Sequence, residues 1–220
     1  MKAIRTMSRH MPRRGPLACS LGLAIGVAIG VALAACASSG PAVHLYTLMP
    51  ADPPARAASA GPGSIPIVLE IHLPAQVDQP QWLVRLPDDS LMTLEQERWA
   101  SPLRDEMRQA LFEELGAKSG VVEARNAAAT APGRVTIDVR RFDSIPGREA
   151  RIQGSWSFLP DAGHDATRCD FLYREPATGA VPVLAAAHRK AIVRLADAIG
   201  AGVAVPGRGQ AQGCPASDPS

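Results

Sequence analysis

Five histidines, four cysteines and a few serines and paired acids hold most of the chain's capacity for reactive chemistry. His10, His44, His72, His164 and His188 are scattered, and none stands in H-E-x-x-H or a comparable spacing that would close two imidazoles on one metal ion. His72 alternates onto the polar face of a strand and His188 falls in an apolar helix stripe, so both read as structural. Gly154-Ser155-Trp156-Ser157 lacks the second glycine of a nucleophile elbow, and its serines read as strand surface. No G-x-x-x-x-G-K-[ST] loop is present to cradle phosphates, so ATP hydrolysis by this chain is not expected. Asp88-Asp89 and Glu113-Glu114 are explained by a turn and a helix flank. No residue is assigned to catalysis, to a cofactor or to a metal, and the expectation is a protein that is not an enzyme.

The cysteines are more informative. Cys36 ends Leu33-Ala34-Ala35-Cys36, where an apolar run gives way to Ala37-Ser38-Ser39-Gly40. Upstream, Lys2, Arg5, Arg9, Arg13 and Arg14 form a cationic start without acids, and 19 nearly uncharged residues follow from Leu17 to Ala35, the plan of a secretory signal. The four-residue segment resembles the bacterial lipobox. There a thiol takes diacylglycerol as a thioether, a peptidase cuts before it, and the new amine is acylated. Small neighbours let the peptidase reach the backbone. A retained transmembrane anchor is the rival reading, since the run is long enough to span and carries Gly22, Gly26 and Gly30 at four-residue spacing. Its Ala/Gly composition is weakly hydrophobic, which favours cleavage.

On this reading residues 1–35 are a lipoprotein signal peptide, Cys36 carries the covalent lipid, and 36–43 form a tether. Several acyl chains make attachment effectively permanent, since each buried methylene adds about 0.8 kcal/mol. Neither Ala37 nor Ser38 is the aspartate that commonly holds such proteins at the inner membrane. The expected place is the outer membrane, facing the periplasm.

The formal charge of +2 is dominated by the leader: the chain from Cys36 on carries 18 basic and 21 acidic residues. With that balance and only nine aromatics, nucleic acid is not an expected partner. Of the cysteines that follow Cys36, Cys169 and Cys214 remain. In an oxidising compartment two thiols read as a candidate disulfide that would pin the tail; the alternative is one buried thiol and one free in the tail.

Downstream of the tether a single domain is expected over 44–204, with a Pro/Ala/Gly-rich loop at 51–64 and a flexible C-terminal tail over 205–220. His44 to Leu48 reads as a brief strand, and Ile65, Ile67, Leu69, Ile71 and Leu73 put one face of a longer strand in the core. Trp82 to Leu86 and Ser90 to Leu94 flank Pro87-Asp88-Asp89 as a hairpin. A helix follows, with Ser101 as cap, Pro102 at its first helical position and Gly116 just past its end. Leu103, Met107, Ala110, Leu111 and Leu115 form its apolar stripe, while Arg104, Glu106, Arg108 and Glu113 face water. Strands around Val135–Val139 and Ile152–Phe158 pair across a Ser144–Gly147 turn, and Cys169, Phe171 and Tyr173 share a face of a third. Leu184 to Ile199 forms a second amphipathic helix that Gly200 and Gly202 end. This order predicts an α+β two-layer sandwich: an antiparallel or mixed sheet carrying two amphipathic helices on one face.

Several of these segments together resemble the ABC-type transport auxiliary lipoprotein family of the PqiC/YmbA type. They are the lipobox, His44-Leu45-Tyr46-Thr47-Leu48, Ile71-His72-Leu73-Pro74 with Val77-Asp78-Gln79-Pro80-Gln81, Glu97-Arg98-Trp99-Ala100-Ser101-Pro102-Leu103, and Gly154-Ser155-Trp156-Ser157-Phe158. Tyr46, Trp99, Pro102, Leu103 and Trp156 carry the match. The resemblance implies a non-catalytic part of an ABC/MCE-type intermembrane lipid transport system. Its partner would be an MCE-domain protein, docked at the outer membrane by a homo-oligomeric ring of copies. A lipid-binding periplasmic carrier is the alternative function, and would need an enclosed apolar cavity.

Overall fold

The computed structural model describes residues 41–51, 64–124, 133–160, 166–203 and 214–219. The signal peptide, Cys36, most of the 51–64 loop and residues 204–213 lie outside that set.

Among the described residues, eight strands and two helices make up the body. The strands are β1 (His44–Tyr46), β2 (Ile65–His72), β3 (Gln81–Arg85), β4 (Leu91–Trp99), β5 (Val121–Glu123), β6 (Gly133–Ile145), β7 (Glu149–Leu159) and β8 (Thr167–Pro176). The helices are α1 (Leu103–Ser119) and α2 (Val181–Gly202). A five-stranded sheet has the order β5-β2-β6-β7-β8, parallel on either side of β2 and antiparallel from β6 to β8. α1 packs on β2 and β5, α2 on β7 and β8, and the helices pack on each other. The α+β two-layer sandwich with a mixed sheet is therefore what the chain forms. Its core is the set of alternating residues foreseen for β2, with Ile67, Leu69 and Ile71 buried, met by Val135, Ile137 and Ile152.

The hairpin is a separate matter. β3 and β4 pair antiparallel through the Pro87–Asp89 turn, where Asp89 takes a left-handed φ of 64°. Rather than extending the main sheet in register, β4 receives β1 in parallel on its other edge, giving a second, three-stranded sheet of order β1-β4-β3. A single sheet was expected, because nothing local to His44–Tyr46 encodes its partner 53 residues away.

Three further expectations are corrected. Gly116 lies inside α1, and Gly120 at φ 66° is the left-handed residue that ends it, a conformation glycine takes at little cost. Ser101 does not cap the helix: Pro102 holds the cap position with extended backbone and no side-chain hydrogen bond. Gly200 and Gly202 also lie within a helix, as part of α2. A Cβ on Gly202 would come within 2.3 Å of the Trp156 ring, so this glycine serves close approach and not termination.

A bulge between Val139 and Arg141 interrupts β6. Before it the odd residues Val135, Ile137 and Val139 are buried; after it the even residues Phe142 and Ser144 are buried as well, together with Asp143 and Ile145. The extra residue shifts the alternation by one and re-aims the end of the strand. Phe142 and Ser144 are thereby presented to β3 and α2.

Candidate functional site

The segments that carry the family resemblance are far apart in the sequence and meet at one joint. β1 and β4 lie in parallel register, His44 against Glu97, Leu45 against Arg98 and Tyr46 against Trp99. The Trp99 amide donates to the Pro80 carbonyl at 2.9 Å, and the Ala100 amide to the Tyr46 carbonyl at 2.7 Å. Three of the quoted segments thus share one set of backbone hydrogen bonds.

Glu106 closes the joint from α1. It was expected to face water, yet only 3% of it is exposed. One carboxylate oxygen accepts from the Thr47 hydroxyl at 2.6 Å and the Leu48 amide at 2.8 Å, and the other from the Ser101 hydroxyl at 2.7 Å. A buried carboxylate is tolerable only when its lone pairs are filled in this way. The signal was present in the sequence: position 106 lies three residues after Leu103 and four before Ala110, within the apolar stripe.

Behind the joint stands a cluster of rings. Trp82 stacks on Trp99 with centroids 4.1 Å apart, and Tyr46 meets Trp82 edge-on at 5.2 Å. Phe142 approaches Trp99 edge-on at 6.0 Å and lies flat against His188 at 4.0 Å. Offset and edge contacts of this kind add to simple burial. The Trp82 indole N–H donates to the Ser144 hydroxyl at 3.0 Å, and that oxygen lies 2.8 Å from His188 Nε2. The indole donates and the Ser144 hydroxyl accepts; between that hydroxyl, which has a second lone pair and one proton, and His188 Nε2 the tautomer of the ring sets which one donates. Among the described residues Nδ1 has no hydrogen-bond partner. Complete burial pushes the His188 pKa from 6.5 down to about 3, so the ring is neutral here.

A serine within hydrogen-bond reach of a histidine is the geometry of an activated nucleophile. This pair lacks what that chemistry requires. Its hydroxyl is occupied by Trp82, no carboxylate orients Nδ1, and both residues are sealed from solvent. The pair acts as a structural pin between β6 and α2.

At the outer rim, burial and the neighbouring Glu97 raise the Tyr46 phenol to about 12. Burial also pushes the Glu97 carboxyl up, but hydrogen bonds from Tyr46 and His44 outweigh it and hold Glu97 below its ordinary value. Among the described residues no group of three or more His, Cys, Asp or Glu side chains could hold a metal ion.

Of the five motif residues, Tyr46 and Trp99 are in the ring cluster, Leu103 is fully buried beneath the joint, and Pro102 sits exposed at the start of α1. Trp156, 1% exposed, stands apart under the far end of α2. Trp82, Phe142, Ser144, His188 and Glu106 belong to the joint and were not singled out for it from the sequence.

Cys169 and Cys214 form a disulfide with Cα atoms 5.4 Å apart. Residues 214–219, expected to belong to a flexible tail, lie along the outer edge of β8. The Asp218 amide donates to the Leu172 carbonyl at 2.9 Å, its carboxylate accepts from the Arg174 amide at 2.7 Å, and it pairs with Arg194 of α2. A free strand edge is thereby covered. Cys36 lies outside the described residues.

None of the curated proteins matches the chain. A crystal structure of an uncharacterized protein superposes with a TM-score of 0.62 at 14% identity, covering 74% of this chain and all of that one. Protein XCC0632 from Xanthomonas campestris, of the DUF330 family, superposes with a TM-score of 0.56 at 20% identity, covering 72% of this chain and 93% of its own. At such identities these likenesses speak to the fold alone. The family model described as ABC-type transport auxiliary lipoprotein component matches residues 46–200, from the first ring of the joint to the last turns of α2. On that match the chain belongs to the ABC-type transport auxiliary lipoprotein family.

Proposed function

We propose that this chain is the lipid-anchored, non-catalytic member of an intermembrane lipid transport system, held by Cys36 at the periplasmic face of the outer membrane. Its task there is to dock the MCE-domain protein of an ABC transporter. The observation that carries this reading is the family match over 46–200, which makes the chain an auxiliary component of an ABC-type transport system. Among the described residues, the cleft geometry supports an adaptor better than a carrier. The cleft beside β3 and the bulged end of β6 has about 30 Å³ of free space, room for about two water molecules and far too little for an acyl chain. The largest aromatic side chains are spent on holding β1, β4 and α2 together. No described helix is long and apolar enough to cross a membrane, so an envelope location rests on the anchor.

The test is purification of the native lipoprotein from detergent-solubilised envelopes, with mass spectrometry of the proteins and lipids that accompany it. The expected companion is an MCE-domain protein, without stoichiometric lipid on the isolated domain. Stoichiometric lipid and no MCE protein would replace the adaptor with a carrier.

A further inference from the structure

We propose that β1 and the residue before it form a bilayer-contact surface, with Val43 and Leu45 resting in the headgroup boundary of the membrane that holds the lipid on Cys36. The inference rests on the lipid-anchor reading above. It starts from two apolar side chains that the fold leaves outside. Val43 is 50% exposed and Leu45 65%, the highest exposure of any large apolar residue described. β1 is an edge strand of its sheet, and the alternation that turns Tyr46 inward onto Trp82 turns Leu45 to the opposite face. On that face its register partner is Arg98. An aliphatic side chain beside a guanidinium suits the bilayer margin, where the first enters the acyl boundary and the second reaches lipid phosphate.

Chain length names the occupant. Six residues, 37–42, separate Cys36 from Val43, and even fully extended they reach only about 20 Å. β1 is the first described element downstream of the acylated residue, and the short chain keeps it within that reach of the interface. The remaining exposed large apolar residues, Leu91, Met92, Leu159 and Val183, have no such tie to the anchor. Exposed polar residues set the depth: the His44 side chain is 59% accessible and Glu95 is exposed along β4, so contact is confined to the boundary layer.

The experiment uses the full lipidated chain in phosphatidylethanolamine–phosphatidylglycerol vesicles, with an environment-sensitive fluorophore on a Leu45→Cys variant and, as reference, on Val183→Cys. Both positions are exposed, so neither label disturbs the core. Strong quenching of the position-45 label by nitroxide lipids, with shielding from aqueous iodide and the reverse pattern at 183, is the expected result. Equal behaviour at the two positions in protein that floats with the vesicles would overturn the contact and leave the anchor intact. Shielding that appears in detergent alone as protein concentration rises would put a second copy on this surface and overturn it too. Failure to float at all would remove the anchor, and the proposal with it.

Discussion

The two ends of α2 are packed by opposite means. Near its start His188 lies flat on Phe142, with the Trp82–Trp99 stack beyond, so large planar side chains fill the space and one hydroxyl bridges the Trp82 indole to His188 Nε2. Near its end Gly200 and Gly202 bring the helix down onto Ser119 and the Trp156 ring, with distances that leave no room for a methyl group. The first contact is vulnerable to loss of volume and to protons. The second is vulnerable to added volume. Close packing makes both unforgiving, in opposite directions.

The largest expected effect comes from emptying the ring cluster. Trp82→Ala removes the centre of the stack and one of the two partners of the Ser144 hydroxyl, and should cost about 3–5 kcal/mol, read as a fall in thermal midpoint of roughly 2–4 °C per kcal/mol. A loss under about 1 kcal/mol would mean the rings are not what joins β3 and β4 to α2.

Acid attacks the same end by another route. His188 titrates near 6.5 unfolded and near 3 folded, so the stability it contributes is fully present above pH 6.5 and drains away as the pH falls towards 3. The limiting slope is about 1.4 kcal/mol per pH unit. Glu97 and Asp218, with lowered carboxyl pKa values, lose stability in the same direction, so the informative quantity is a difference. Urea midpoints from pH 7 to 4 should fall more steeply for the wild type than for His188→Phe, whatever the variant's starting stability. Parallel curves would place water or a counter-charge beside the ring.

At the opposite end Gly202→Ala should cost about 1–3 kcal/mol, because the new carbon meets an indole that is itself fully packed. Gly120→Ala sharpens the contrast. Nothing lies within 4 Å of its added carbon, so the cost should be only about 1 kcal/mol, from the left-handed backbone alone. Equal losses at the two glycines, compared by thermal denaturation, would show that backbone strain and not crowding governs the glycine end.

Legibility followed the same division. Elements whose signal is local could be read directly: the alternation of β2, the β3–β4 hairpin and its turn, the β6–β7 pair and both helices. The Cys169–Cys214 bridge followed from compartment and elimination, and it is present. What stayed hidden depends on partners distant in sequence. The parallel pairing of β1 with β4 has no local code. The bulge at the end of β6 turned Phe142 and Ser144 inward against the alternation set by Val135–Val139. Glu106 was assigned to water because carboxylates usually go there, although its position in the helix stripe pointed inward. The joint was thus visible as quoted segments, and its interior was not.

The central claim is a body tied by one sulfur atom to a membrane, and the most direct measurement is the intact mass of protein extracted from cell envelopes. The account predicts a chain that begins at Cys36 and carries a diacylglycerol thioether and an amide-linked acyl chain. A chain that retains its first 35 residues and an unmodified Cys36 thiol would contradict it.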